Sequence, residues 1–329
     1  MKRALAGLAV IPLLLGLAAC TPDPEPTTPA TPPPLSSLPH IELIAPANSS
    51  YYWDLVKAGA KAAAKNLNVN VSFNGPATAG DTAGELSLLR AALGHGLVGI
   101  GVAPPLDGMA DVVVALDSAK AAGTPVVVID TPVAGSDVPI TTVMSNNPWI
   151  GEQTATKTAS LMGGKGAVVV LTNSADPSAT ERAKAFVDRM AKQATGVKVT
   201  TTDVKAADRA SAKTAAAKLL TGNSAPAAIY ATTGELTLGT ADAVKTAKAK
   251  VIIVGTDASP EQVELVKGGT VAGAFAHNPF NIGYQTVTLL VEATKGNLPS
   301  AKTFYSDAVW YTKSNITAPE VTQIISPNV

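Results

Sequence analysis

The chain has 329 residues, with 25 lysines and arginines set against 25 aspartates and glutamates, 46% apolar residues and one cysteine. A zero formal balance without a basic patch argues against a nucleic-acid partner, and a lone cysteine leaves the folded part without disulfides, a cysteine metal site or a cysteine nucleophile. Charged residues at 15% fit a globular protein built on buried sheets, not a disordered or coiled-coil chain.

Residues 1–20, MKRALAGLAVIPLLLGLAAC, open with Lys2 and Arg3, stay apolar over 4–19 and close on Leu17-Ala18-Ala19-Cys20. The apolar run is short and rich in Ala and Gly for a stable span, which favours an export signal over an uncleaved membrane anchor. The stretch resembles a bacterial lipoprotein signal. That resemblance implies that Cys20 becomes the first mature residue and carries lipid, anchoring the protein outside the cytoplasm, in the periplasm or on the cell surface. Loss of Lys2 and Arg3 lowers the 25 basic residues to 23 against 25 acidic ones, a net charge of −2.

Residues 21–39, TPDPEPTTPATPPPLSSLP, hold 8 prolines in 19 positions. Such a stretch has little to bury and predicts a semi-rigid, polyproline-like tether, reaching roughly 60 Å at ~3.1 Å per residue. A proline-rich ligand for a binding partner is the alternative use.

From residue 41 apolar strands alternate with amphipathic helices. Strands are predicted at 41–45, 69–73, 98–102, 126–130 and 141–144, with helices at 53–67, 85–95 and 109–122. A second series follows. Its helices are predicted at 150–161, 180–193, 210–220, 236–247, 260–267 and 282–295, its strands at 167–171, 197–202, 227–230, 251–255 and 271–275. Buried parallel strands need helical crossovers, so the fold class is α/β, doubly wound. Both halves repeat the same order, which predicts two similar lobes instead of one very wide sheet. In such sheets the residues just after the strands line the ligand crevice.

Those strand ends carry VVVIDTPV (126–133), MSNNPWIG (144–151), YATTGELTLG (230–239), IVGTDASPEQ (253–262) and AFAHNPFNIG (274–283). Together they resemble the type I periplasmic binding proteins, in particular the ribose-binding and related sugar-binding group. The resemblance runs from residue 41 to about 309. It implies two Rossmann-like lobes joined by three hinge crossings, near Ser145, Asn278 and Trp310, with solute bound between them and delivered to the permease of an ABC importer. The lobes would be residues 40–145 with 279–309, and 146–278 with 310–329. The implied ligand is a small sugar or polyol, the implied state a monomer.

Aligned on those motifs, Tyr52 and Trp53 take the place of the family's aromatic pair, where flat rings suit sugar faces; anchoring the helix start in the core is the other use open to them. Trp149, past the first crossing, would touch ligand or pack on the lobe surface. Asp130 and Asp257 match carboxylates that accept paired hydroxyl hydrogen bonds, although each could instead cap a helix. Asn146 and Asn147 could bond either ligand or crossing backbone. His277 stands where the family has a glutamine and could make binding pH-sensitive, or serve as a plain hinge histidine.

Departures from the family narrow the ligand. Thr131 and Thr180 replace two arginines, Ala103 replaces an amide side chain, and Thr233 replaces an asparagine. Arg182 aligns with a structural position and is expected in helix packing or a surface ion pair. A pocket short of forked donors implies a smaller or less hydroxylated ligand than ribose, with deoxy sugars, small polyols and heteroaromatic compounds compatible.

Enzymatic readings find little support. Gly99-Ile-Gly101-Val-Ala-Pro104 lacks the third glycine of a dinucleotide fingerprint, and no GxxxxGK[ST] loop is present. His40, His95 and His277 are the only histidines and suggest neither a metal cluster nor a catalytic triad. No enzyme, cofactor or metal is therefore expected. A sensory receptor presenting its ligand to a membrane kinase or chemoreceptor would use the same closure. A LacI-like repressor domain is disfavoured, because no DNA-binding helix pair precedes residue 41.

Overall fold

A computed structural model describes residues 38–206, 208–221 and 225–327. The expected export signal, Cys20 and nearly all of the tether lie outside the described residues. Continuous apolar runs such as Val126–Ile129 (β4) and Ala228–Ala231 (β8) are fully buried, because helices cover both faces of each sheet.

The first sheet has the order β11-β5-β4-β3-β1-β2, built from β1 (His40–Ile44), β2 (Asn70–Asn74), β3 (Gly99–Val102), β4, β5 (Thr141–Ser145) and β11 (Thr303–Ser306). The second has the order β12-β10-β9-β8-β6-β7, with β6 (Gly166–Thr172), β7 (Val197–Asp203), β8, β9 (Ile252–Thr256), β10 (Gly273–His277) and β12 (Ala308–Tyr311). Strand order reverses beside β1 in one sheet and beside β6 in the other. Each reversal opens a crevice at the carboxyl ends of the strands. Among the described residues every strand pair is parallel except β10–β12.

The chain passes between the sheets three times: from β5 into helix α4 (Asn147–Leu161), from β10 into α9 (Pro279–Thr294), and between β11 and β12 at Asp307. The third passage comes earlier than the expected one near Trp310. Val309 and Trp310 already pair with Ala276 and Phe275 in the second sheet. Neither β11 nor β12 was predicted, because four mixed residues carry no periodicity; pairing to β5 and β10 makes them strands.

Five helices capped by Ser, Asp or Asn begin two or three residues before the apolar pattern does. Ser50, Asp81, Asn146, Asp176 and Asn278 cap α1 (Tyr51–Leu67), α2 (Thr82–Leu93), α4, α5 (Pro177–Gln193) and α9, each accepting a backbone N–H of the first turn. Three of these helices carry Pro in that turn, where its missing N–H costs nothing.

Helices α1 and α9 cover one face of the first sheet and touch backbone to backbone. A Cβ on Gly59 would lie 1.8 Å from the Phe280 carbonyl oxygen, and one on Gly283 would lie 1.9 Å from that of Val56. Gly283→Ala is expected to cost about 1–3 kcal/mol by forcing the helices apart. An unchanged urea midpoint would show that this contact is not made.

Candidate ligand cleft

The two crevices face each other, and each is headed by an aspartate in an uncommon backbone conformation. Asp130 follows β4 with φ of 68°, and Asp257 follows β9 with φ of 75°. Aspartate tolerates this left-handed region better than most residues. Both backbone N–H groups still bond across to the next strand, Asp130 to Val143 at 2.9 Å and Asp257 to Phe275 at 2.8 Å. The turned backbone lifts each carboxylate off the sheet edge and into the cleft.

On the first lobe, capping by Ser50 starts α1 at the cleft, so Tyr51, Tyr52 and Trp53 form its first turn. Tyr52 and Trp53 meet edge to face at 5.0 Å. The Tyr52 hydroxyl donates to Asp130 Oδ1 at 3.1 Å. Burial and the neighbouring carboxylate push the Tyr52 pKa well up, which keeps it a donor. Burial, then the charge of Asp176, raise that of Asp130, while the Tyr52 hydrogen bond and Arg182 oppose the rise.

On the second lobe, Asp257 is held on several sides. Its Oδ2 accepts the Gly234 N–H at 2.7 Å, at the start of α7 (Gly234–Ala247), and its carbonyl accepts from Tyr311 Oη at 2.7 Å and Gln262 Nε2 at 2.6 Å. Its side chain therefore binds the end of α7, while Ser259 caps α8 (Pro260–Lys267), the helix that follows. Thr233 caps α7, accepting from the Leu236 N–H at 3.4 Å.

His277 sits where β10 ends. Its Nδ1 is 3.0 Å from Ser145 Oγ; its Nε2 is 3.3 Å from Asp257 Oδ1 and 3.5 Å from Arg182 Nη1. Burial dominates the nearby Asp257 charge and pushes the imidazole down to about 4, so the ring is neutral near pH 7 and is no near-neutral switch. Since the ring ordinarily titrates at 6.5, its contribution to stability is whole above that pH and declines as pH falls towards 4. The His277 ring resonances are expected to stay flat in an NMR titration from pH 8 to 5.5; a midpoint near 6.5 would place the ring in water.

Of its two expected uses, Arg182 shows helix packing and not a surface pair. It is buried on the inner face of α5, where Nη1 donates to Asn147 Oδ1 at 2.7 Å, and its Nε has no hydrogen-bond partner. Asn147 is buried beside it and donates to Ser178 Oγ at 3.1 Å and Glu181 Oε2 at 3.3 Å. A signal was present in the sequence. Arg182 occupies the same helical stripe as Ala179, Ala183, Phe186 and Met190, and a charge on an apolar stripe marks a buried polar centre.

Three cavities share walls along the cleft. The central one, about 250 Å³, is lined by Tyr52, Trp53, Asp130, Arg182, Asp257 and His277 among others. A second, about 330 Å³, lies between Tyr51, Glu235, Ala258 and Ile324 and also borders Tyr52, Thr233, Asp257 and His277. A third, again about 330 Å³, extends into the first lobe past Trp53, Glu85, Pro105, Ile129 and Asp130. Asp176 borders all three. The Tyr51 hydroxyl spans the lobes, donating to the Ile325 carbonyl at 3.3 Å.

Of the sequence-derived candidates, Tyr52, Trp53, Asp130, Thr233, Asp257 and His277 thus meet in one cleft. Four others do not line these cavities. Asn146 caps α4 through the Trp149 N–H at 3.1 Å, and Asn147 holds Arg182. Trp149 is 40% exposed and packs edge-on against Phe275 at 5.6 Å. Thr180 is exposed, its hydroxyl 3.4 Å from the Asn173 carbonyl. Sequence reasoning missed Glu85, Asp176 and the cleft-facing role of Arg182.

Residues 41–298 match the family model of the periplasmic binding protein domain. The D-allose-binding periplasmic protein of Escherichia coli (strain K12) is 27% identical over 257 residues, which cover 75% of this chain and 82% of that protein. An ABC transporter solute binding protein from Agrobacterium vitis, bound with alpha-D-tagatopyranose, is similar with a TM-score of 0.78 and 25% identity, over 87% of this chain and 99% of that one. A carbohydrate transporter solute binding protein from Agrobacterium radiobacter, in complex with D-arabinose, gives a TM-score of 0.78 and 25% identity, over 88% and 99% of the two chains.

Proposed function

The chain belongs to the periplasmic binding protein family, and we propose that it is an extracytoplasmic solute receptor of an ABC importer that closes on a small sugar-like or polyol ligand. The observation that carries this reading is the pair of facing strand ends, Tyr52 on Asp130 in one lobe and Asp257 beside His277 and Arg182 in the other. Carboxylates accept from ligand hydroxyls, the guanidinium and phenol donate, and Trp53 covers an apolar sugar face. A ligand touching both lobes favours the closed arrangement by its differential contacts.

The ligand-binding set is then Tyr52, Trp53, Asp130, Arg182, Thr233, Asp257 and His277. Asn146 and Asn147 act behind it, one starting a helix and the other orienting the guanidinium. The lobe boundaries fall at the three crossings, and Cys20 carries the lipid that holds a monomer at the membrane through its proline-rich tether. Cys20→Ser is expected to release the protein from the membrane fraction.

A thermal-shift panel of D-allose, D-ribose, D-arabinose, D-tagatose and small polyols tests the reading. A ligand present at 100 times its Kd adds ~2.7 kcal/mol of stability. Trp53→Ala is expected to abolish that shift, and solution scattering should show compaction with the same compound. No shift and no compaction across the panel would overturn the assignment.

A further inference from the structure

The cleft has far more negative than positive groups. Asp107, Asp130, Asp176, Glu235 and Asp257 line its three cavities together with Glu85, whose buried carboxyl holds its proton near pH 7, whereas Arg182 is the sole cation in those linings. That guanidinium already donates to Asn147. Thr131, which follows Asp130 into the first-lobe cavity, adds no positive charge there. Among the described residues no three His, Cys, Asp or Glu groups are placed to share a metal ion, so the charge is spread along the cleft.

Glu85 supplies the independent observation. It lies in the first turn of α2, is only 2% exposed, and its Oε1 has no hydrogen-bond partner although it borders the first-lobe cavity. A buried carboxyl oxygen without a donor is costly, and a ligand that donates to that carboxyl offsets the cost. Trp53, Asp130 and Asp176 line the same cavity.

We propose that the first-lobe cavity is a subsite for a protonated amine, and that the solute is an amino-substituted sugar or cyclitol whose ammonium sits among Glu85, Asp130 and the Trp53 ring. This rests on the solute-receptor reading above. The ammonium donates to the Glu85 carboxyl, whose proton leaves to solvent, and to Asp130, relieves the repulsion between Asp130 and Asp176, and is attracted to the indole face. The ligand's hydroxyls remain for Asp257, Arg182 and His277 in the central cavity. A neutral sugar meets the same contacts there but leaves the acidic end uncompensated.

Calorimetry at pH 7 on the full chain tests this with D-glucosamine, D-galactosamine and D-mannosamine against their parent hexoses and N-acetyl derivatives. At least one amine should bind tenfold or more tightly than both of its neutral counterparts. Glu85→Gln should reduce that advantage to less than threefold while moving the affinity of the parent hexose by less than threefold. Equal or tighter binding of the neutral compounds, an advantage that survives Glu85→Gln, or no binding by any amine overturns the proposal. Binding of neutral sugars without an amine preference sinks this inference alone; silence of every sugar in both panels sinks the receptor reading with it.

Discussion

Asp257→Ala is expected to lower the stability of the ligand-free protein by about 2–4 kcal/mol, whereas Asp257→Asn should stay within about 1 kcal/mol of wild type. Two costs combine in the alanine variant. The backbone at φ of 75° becomes strained for a residue whose Cβ has no compensating polar contact, and the Gly234 N–H at the start of α7 loses its carboxylate acceptor at 2.7 Å. Asparagine tolerates the left-handed region and keeps an oxygen for Gly234, so it removes the charge alone. Both variants should lose the ligand-induced thermal shift, because each removes an acceptor that faces the central cavity. Urea unfolding of the two variants side by side is the check. Equal losses in alanine and asparagine would mean that backbone conformation and the α7 bond contribute nothing.

Glu85→Gln should act in the opposite direction and stabilise the ligand-free protein at pH 8 by about 2–3 kcal/mol. Burial pushes the carboxyl from its ordinary 4.5 to about 8. The folded protein therefore holds a proton on Glu85 that the unfolded chain releases, and wild-type stability falls as pH rises from 4.5 through 8. Glutamine is neutral throughout, so the variant lacks that slope. Displacing a titration costs about 1.4 kcal/mol per pH unit, of which the amide's own unmet hydrogen bonds return a part. The variant should gain on wild type as pH rises above 4.5 and level off above pH 8. A destabilised variant, or a difference that does not grow with pH, would place Glu85 in water. His277 has the reverse sign, losing stability as pH falls from 6.5 towards 4, so together the two groups favour intermediate pH. A residue kept at a cost in stability is what a binding site produces.

The alternation of apolar strands and amphipathic helices was legible because each element reports its own burial. Val126–Ile129 reads as a covered strand, and α1, α2, α4, α5 and α9 announce themselves by Ser, Asp or Asn at the correct place. The helix starts lie earlier than the apolar period for the same local reason: a first turn set by its cap, with a proline in α4, α5 and α9, need not continue the buried stripe. Half of this lay within reach, since a cap followed by proline is itself a start signal.

Glu85 and Arg182 show where local reading ends. Both occupy apolar stripes, Glu85 with Leu89 and Ala92, Arg182 with Ala179, Phe186 and Met190, and the stripe says only that each is buried. Short strands such as Thr303–Ser306 tell the same story, being strands only because β5 lies alongside. By itself the sequence determined two repeated α/β halves, their cap residues and the aspartates that end β4 and β9, all of which depend on neighbours a few positions away. Only the tertiary structure decided that the carboxylates following β4 and β9 meet one guanidinium from α5, with Glu85 of α2 in the adjoining cavity, because that meeting depends on how two separate sheets face each other across three short crossings.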